Sequence, residues 1–321
     1  MRFSTGPRAG LSAGAPDRHL ERSLMRSTYS ASGQRIVITG GTSGVGLETA
    51  RLLAGSGAQL ILVGSDPVKG AAAQRAVIEA GDETAAFVAA DLSSMAEVRR
   101  LAQTLIERLD RLDVLINNAG LVSARRVVTS EGLERTFAVN YLAPFVLTND
   151  LLTLLRRSAP ARVISLTAAV EPIGRLPFSD LQRVRHYGGV RAYAQSKRAL
   201  AMFTIELARR LASEETGVTA NVVDPFLVRT ALTSSRDAPL LFKLARPAMI
   251  RPETAARWVV RAAVDPSLSH TTGRHFLLGH RAPSPPGSRS GRRAARLWEA
   301  SSELTAIPRT HDMVPPTTTS A

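Results

Sequence analysis

At 321 residues, 44% of them hydrophobic, the chain is long enough to bury one α/β core of roughly 250 residues with tails on either side. No apolar run approaches the ~20 residues that a membrane span requires, and the lack of cysteine excludes disulfides and thiolate–metal sites. A soluble protein of a reducing cytoplasm is expected. The net charge of +14 is almost all arginine, scattered along an alanine-rich chain around only three lysines, Lys69, Lys197 and Lys243. It argues for compositional bias and against a nucleic-acid or membrane-binding surface.

Residues 1–33 are rich in Arg, Ser, Gly and Ala and lack hydrophobic periodicity, which reads as a disordered basic leader. Translation from Met25 is an open alternative. A β-branched run, Ile36, Val37 and Ile38, then predicts a buried strand, followed by a turn from Thr39 to Gly46 and a helix from Leu47. Such a turn aims backbone N–H groups and a helix dipole at one point, where a pyrophosphate binds. Gly40, Gly44 and Gly46 keep side chains away from the ligand and from the strand–helix contact.

Strand and helix then alternate. Strands are predicted at 59–63, 85–89, 113–116, 162–166, 218–223 and 275–278. Helices are predicted at 67–80, 95–110, 131–156, 191–213, 252–263 and 294–304. This spacing requires parallel pairing through helical crossovers, hence a doubly wound, Rossmann-like α/β sheet with ligands at the carboxyl ends of its strands. Four segments are expected: the leader 1–33, a dinucleotide-binding catalytic domain 34–280, an extension with a short helix 281–307, and a disordered tail 308–321. Residues 226–250 break the rhythm, and their apolar patch at Leu240, Leu241, Phe242 and Leu244 reads as a substrate lid.

Tyr193-Ala194-Gln195-Ser196-Lys197 puts a phenol and an ammonium one helical turn apart. An ammonium so placed lowers the phenol pKa toward working pH, as a general acid/base requires.

Thr39–Gly46, Asp91, Asn117–Gly120, Asn140 in F-A-V-N-Y, and Tyr193/Lys197 together resemble the short-chain dehydrogenase/reductase family over roughly residues 33–306. The segment Gly174–Phe178 and the triplet Leu297-Trp298-Glu299 are similar to its retinol-dehydrogenase-like branch. The resemblance implies an NAD(P)-dependent oxidoreductase that interconverts a carbonyl and an alcohol on an apolar small molecule. Relatives in this family are often dimers or tetramers.

The implied cofactor contacts are Gly40, Thr42, Ser43, Gly44, Val45 and Gly46 in the first turn, Ser65 after the second strand, and Asp91 and Leu92 at the adenine. Asn118, Ala119 and Gly120 follow the fourth strand, and Pro225, Val228 and Thr230 lie near the carboxamide. Tyr193 is the implied proton donor and acceptor, Lys197 its modulator and ribose ligand, and Asn140 the holder of a water linking Lys197 to solvent. Local readings stay open: Asp91 as a helix cap, Asn140 as a partner of helix backbone, Thr230 as the start of the lid.

Two departures stand out. The family serine that holds the reacting oxygen falls on Ala168, and only a local bulge would let Thr167 replace it. Phe226 follows Pro225 where the family has glycine. They keep a second reading open, in which the fold binds cofactor but performs dehydration, cyclisation or isomerisation, or has a degraded site. Gly64 and Ser65 present no carboxylate at the tip of the second strand, which favours NADP over NAD, with Asp66 one residue late for the NAD role.

Overall fold

The computed structural model describes residues 29–229, 249–284 and 291–306. Eight strands form one sheet in the order β3-β2-β1-β4-β5-β6-β7-β8. They are β1 (Arg35–Thr39), β2 (Gln59–Gly64), β3 (Ala86–Ala89), β4 (Val114–Asn117), β5 (Ala161–Leu166), β6 (Val218–Asp224), β7 (His275–Leu277) and β8 (His280–Ala282). All neighbours pair in parallel except β7 and β8, an antiparallel hairpin that the alternation did not predict.

Period-two alternation divides the core. Ile36 and Ile38 of β1 face one layer with α1 (Gly44–Ala54), α2 (Pro67–Ile78) and α8 (Pro252–Val264), while Val37 faces the other. That second layer holds α3 (Met95–Arg108), α5 (Ala143–Asp150), α6 (Leu152–Arg157), α7 (Gly189–Ser213) and α9 (Gly291–Thr305). Among the described residues no helix is long and apolar enough to cross a membrane.

The single helix expected over 131–156 is broken. A short α4 (Arg135–Phe137) runs into a π-helical turn, Ala138–Leu142, before α5 and α6. Pro144 is the cause, since it has no N–H to donate to the carbonyl of Asn140 four residues earlier. The turn widens there and Asn140 sits at its centre. The ends of the excursion after β6 are tied by a bridge between Val228 and Ile250. Residues 230–248 of the proposed lid, with Thr230, Leu240, Leu241, Phe242 and Leu244, lie outside the described residues, as do most of the leader and the tail.

The last helix is part of the main core. Trp298 of α9 stacks 5.2 Å from Phe145 and 5.5 Å from Phe203, with the Arg210 guanidinium 3.9 Å over its ring. Ser301 shares a 2.6 Å hydrogen bond with the buried Tyr141 hydroxyl, in the π turn beside Asn140. Truncating Trp298 to alanine is expected to cost about 3 kcal/mol in urea unfolding, as for other large core deletions. A loss under about 1 kcal/mol would show that α9 adds little to the core.

Candidate active site

The cleft opens at the carboxyl ends of the strands and encloses about 490 Å³. Its floor begins at the first turn. A Cβ on Gly46 would stand 2.3 Å from the Gly40 carbonyl oxygen and 2.4 Å from the Asn118 amide, so only glycine lets α1 approach β1 this closely. Asn118 Nδ2 donates to the carbonyls of Thr39 and Gly40, and the Thr39 hydroxyl accepts from the Asn118 and Ala119 N–H groups. These bonds weld the loop after β1 to the loop after β4.

The N-terminus of α1 faces the cleft with no side-chain cap from Ser43 and no acidic residue in its first turn. By contrast, α2 is capped by Asp66 and α3 by Ser94 and Glu131. The first N–H groups of a helix need acceptors, and those of α1 lie where a phosphate would supply them. The residues present therefore fit the pyrophosphate of a dinucleotide.

Thr42, Ser65, Asp91, Leu92, Ala119, Gly120, Pro225 and Val228 line the same cleft, together with Gly40, Ser43, Gly44, Val45 and Asn118. Gly46 lies behind it as a packing residue. Asp91 accepts from the Ser93 N–H, a local turn bond, while the caps of α3 are Ser94 and Glu131. Asp66 is spent on α2: its carboxylate accepts from the Val68 and Lys69 N–H groups and pairs with the Lys69 ammonium at 3.3 Å. Neither residue is thereby committed to a cofactor ribose.

On α7, Tyr193 and Lys197 are both buried at the cleft wall. The Lys197 ammonium donates to the Leu166 carbonyl at 2.9 Å, at the end of β5, and lies 5.7 Å from the centre of the Tyr193 ring. Burial lowers Lys197 to about 8, against an opposing pull from the Asp224 carboxylate. The expected lowering of the tyrosine does not occur: burial raises the Tyr193 phenol above its usual value, and Asp224 adds to the rise. Desolvation of the phenolate outweighs a lysine whose charge is directed at a carbonyl.

Asn140 is fully buried, and both its amide hydrogens are used, on Leu121 O at 2.9 Å and Ser196 Oγ at 3.0 Å. Its Oδ1 accepts from the Leu121 N–H at 2.7 Å. The side chain thus holds the loop after β4 against α7. It has no hydrogen left for the water that the family resemblance implied, although its Oδ1 keeps a second lone pair.

Ala168 packs with Tyr193, Val122 and Met249, flanked by Val170 and Leu227. No bulge displaces it: Leu166 pairs with Val223, and the Thr167 N–H continues the ladder to Val223 O at 2.9 Å. A methyl group, not a hydroxyl, stands against the tyrosine. Thr167 lines the same wall, and its hydroxyl oxygen is buried with no hydrogen-bond partner among the described residues.

Sequence reasoning passed over two features. One is Asp224, the last residue of β6, buried at 3% exposure and raised by that burial to about 6. Its signal was an acidic residue ending a strand of otherwise uncharged residues, directly before Pro225. The other is the apolar side of the cleft, whose residues Leu121, Val122, Val170 and Leu227 lie in loops without periodicity.

Phe226 keeps the left-handed backbone that glycine would hold, at φ 64°, with its N–H bonded to Asp224 Oδ1 at 2.7 Å and 44% of the residue exposed. Such a conformation costs a non-glycine residue about 1–2 kcal/mol. Replacing Phe226 by glycine is expected to raise stability by up to about 1 kcal/mol in urea unfolding, after the extra freedom of the unfolded glycine is subtracted. A destabilisation above about 1 kcal/mol would show that the ring's packing exceeds the backbone strain.

The comparisons with known proteins agree with this geometry. The model of the short chain dehydrogenase family matches residues 34–240. Retinol dehydrogenase 12 of Homo sapiens is 36% identical over 286 residues, spanning 88% of this chain and 90% of that protein. Polyprenol dehydrogenase of Homo sapiens is 35% identical over 289 residues, spanning 84% of each. The Pseudomonas aeruginosa RhlG/NADP active-site complex superposes with a TM-score of 0.64 at 29% identity, over 78% of this chain and 96% of that one. With the doubly wound sheet and the Tyr193/Lys197 helix in place, the chain belongs to the short-chain dehydrogenase family, is similar to its retinol-dehydrogenase-like members, and is an NAD(P)-dependent oxidoreductase.

Proposed function

We propose that this oxidoreductase interconverts a carbonyl and an alcohol on an apolar small molecule, with Tyr193 as general acid and base and NADP as the preferred cofactor. The observation that carries the reading is one cleft holding three things: an uncapped helix N-terminus, a buried Tyr193/Lys197 pair, and an apolar wall. A bound nicotinamide dinucleotide would give or take the hydride.

The remaining work falls to this chain. The N–H groups of α1 bind the pyrophosphate, and Gly120, on which a Cβ would stand 3.4 Å from Lys197 Nζ and 3.5 Å from Asn140 Oδ1, keeps the centre of the cleft open. Tyr193 transfers the proton at its Oη, with Lys197 fixed beside it by the Leu166 carbonyl. Ala168 leaves the reacting oxygen without the serine hydroxyl, and Thr167, with no bulge to turn it and its hydroxyl oxygen buried, does not take that place. Val122, Met249, Leu227 and Phe226 supply an apolar surface that excludes water from the substrate side. Names such as retinol dehydrogenase and polyprenol dehydrogenase, both for apolar alcohols, support the same substrate class.

Preference for NADP rests on the tip of β2, where Gly64 and Ser65 offer no carboxylate and Asp66 is held at the helix cap. Titrations followed by nicotinamide fluorescence are expected to give at least about tenfold tighter binding of NADPH than NADH. Tighter NADH binding overturns the preference.

With a panel of apolar aldehydes and ketones, NADPH consumption is expected, and Tyr193→Phe is expected to lower it about 10²–10⁴-fold. Thr167→Val should change kcat by less than about threefold, whereas Ala168→Ser should raise it about 10²-fold with little change in cofactor affinity. Full activity of Tyr193→Phe would refute the mechanism. A loss of kcat of about 10²-fold in Thr167→Val would instead give its hydroxyl the role of the missing serine.

A further inference from the structure

Asp224 ends β6 one residue beyond Val223, the register partner of Leu166. The Leu166 carbonyl, at the end of the neighbouring strand, takes the Lys197 ammonium, and the Asp224 carboxylate lies near enough for its charge to act on both Lys197 and Tyr193. Its Oδ1 is fixed by the Phe226 N–H at 2.7 Å, and its Oδ2 lies 4.0 Å from His275 Nε2 on β7. His275 is itself buried, its Nδ1 has no hydrogen-bond partner among the described residues, and burial holds it down to about 4, so it stays neutral. Among the described residues, the charged and titratable groups whose charge acts on or lies near Asp224 are therefore Lys197 and Tyr193 from α7 and His275 from β7. Only one of them, Lys197, carries a positive charge at neutral pH.

We propose that Asp224 is a positioning residue for proton transfer: its buried carboxylate offsets the charge of Lys197, keeps Tyr193 as phenol, and poises the site at neutral pH to donate a proton to a carbonyl. The inference deepens the reading of Tyr193 as general acid and base and rests on it. In reduction the Oη–H bond of Tyr193 breaks, its proton goes to the carbonyl oxygen, and the carbonyl carbon takes the hydride from reduced nicotinamide. In oxidation every transfer reverses, so the phenolate must be present before the alcohol can react.

A carboxylate beside Tyr193 leaves little phenolate at neutral pH, and alcohol oxidation then rises only toward alkaline pH. The acid form needed for reduction is fully populated. The neutral side chain of Asp224→Asn keeps an oxygen for the Phe226 N–H while removing the charge.

The test uses the full chain labelled with ¹³Cζ-tyrosine. Of its four tyrosines, Tyr193 is assigned by comparison with Tyr193→Phe. With NADP⁺ added and without it, the Tyr193 resonance of Asp224→Asn is expected to titrate about one pH unit or more below that of the unaltered chain. In parallel, the alkaline limb of alcohol oxidation should move down by the same amount, raising the rate at pH 7.5 about tenfold while reduction changes little. Identical Tyr193 resonances at every pH, or a titration moved upward, overturn the proposal.

If Asp224→Asn fails to fold, Asp224→Ser carries the same expectation, since its hydroxyl can still accept from the Phe226 N–H. The resonance needs no substrate, so the two readings separate. A chain that turns over no carbonyl yet shows the downward shift keeps the electrostatic role and loses the proposed reaction. Tyr193-dependent turnover with no shift does the reverse.

Discussion

The 2.3 Å that would separate a Cβ on Gly46 from the Gly40 carbonyl oxygen is the constraint on which the rest of the cleft depends. Because that Cβ is absent, α1 docks on the end of β1 with its N-terminus aimed along the sheet. The Asn118 side chain can then reach back across the same gap to the carbonyls of Thr39 and Gly40. The two loops at the centre of the sheet become one rigid unit. The helix dipole, the loop carrying Gly120 and the wall carrying Tyr193 are all located relative to that weld.

A second framework is electrostatic and runs through the buried side of the cleft. Lys197 reaches a backbone carbonyl on β5, Asn140 ties the loop after β4 to Ser196, and the Ser196 hydroxyl donates to the Tyr193 carbonyl on the helix itself. Each bond joins α7 to a strand end or holds its first turns. The phenol and ammonium are thus fixed by partners other than each other, and their proton affinities respond to burial and to Asp224 more than to their four-residue spacing.

Much of this was legible from the sequence because it is written in local patterns. The β-branched run of β1 and the glycines after it, the alternation of strands and helices, and the Tyr193/Lys197 spacing are signals confined to a few residues. The break of the helix around Asn140 was equally local, carried by Pro144 four residues on, but a long apolar periodicity masked it. What could not be read lies in contacts between distant segments. Asp224 meets α7 only after β5 and β6 pair, and the apolar pocket of Val122, Ala168, Tyr193 and Met249 draws on four separate stretches. The hairpin of β7 and β8 was missed because three-residue strands give too short a pattern. The charge of Tyr193 was misjudged for the same reason: adjacency along a helix is visible in a sequence, whereas desolvation is a property of the assembled fold.

The hydrogen bond between Ser301 and Tyr141 gives the order of synthesis a bearing on the active site. Tyr141 adjoins Asn140 in the widened turn, yet its hydroxyl partner is made some 160 residues later, on α9. A nascent chain can pair all eight strands and still leave that hydroxyl without its Ser301 partner, together with the faces of Phe145 and Phe203 that Trp298 covers. The π turn that carries Asn140 reaches its final packing only when α9 has cleared the ribosome, so chains terminated before residue 291 would hold a complete sheet around an unfinished catalytic wall.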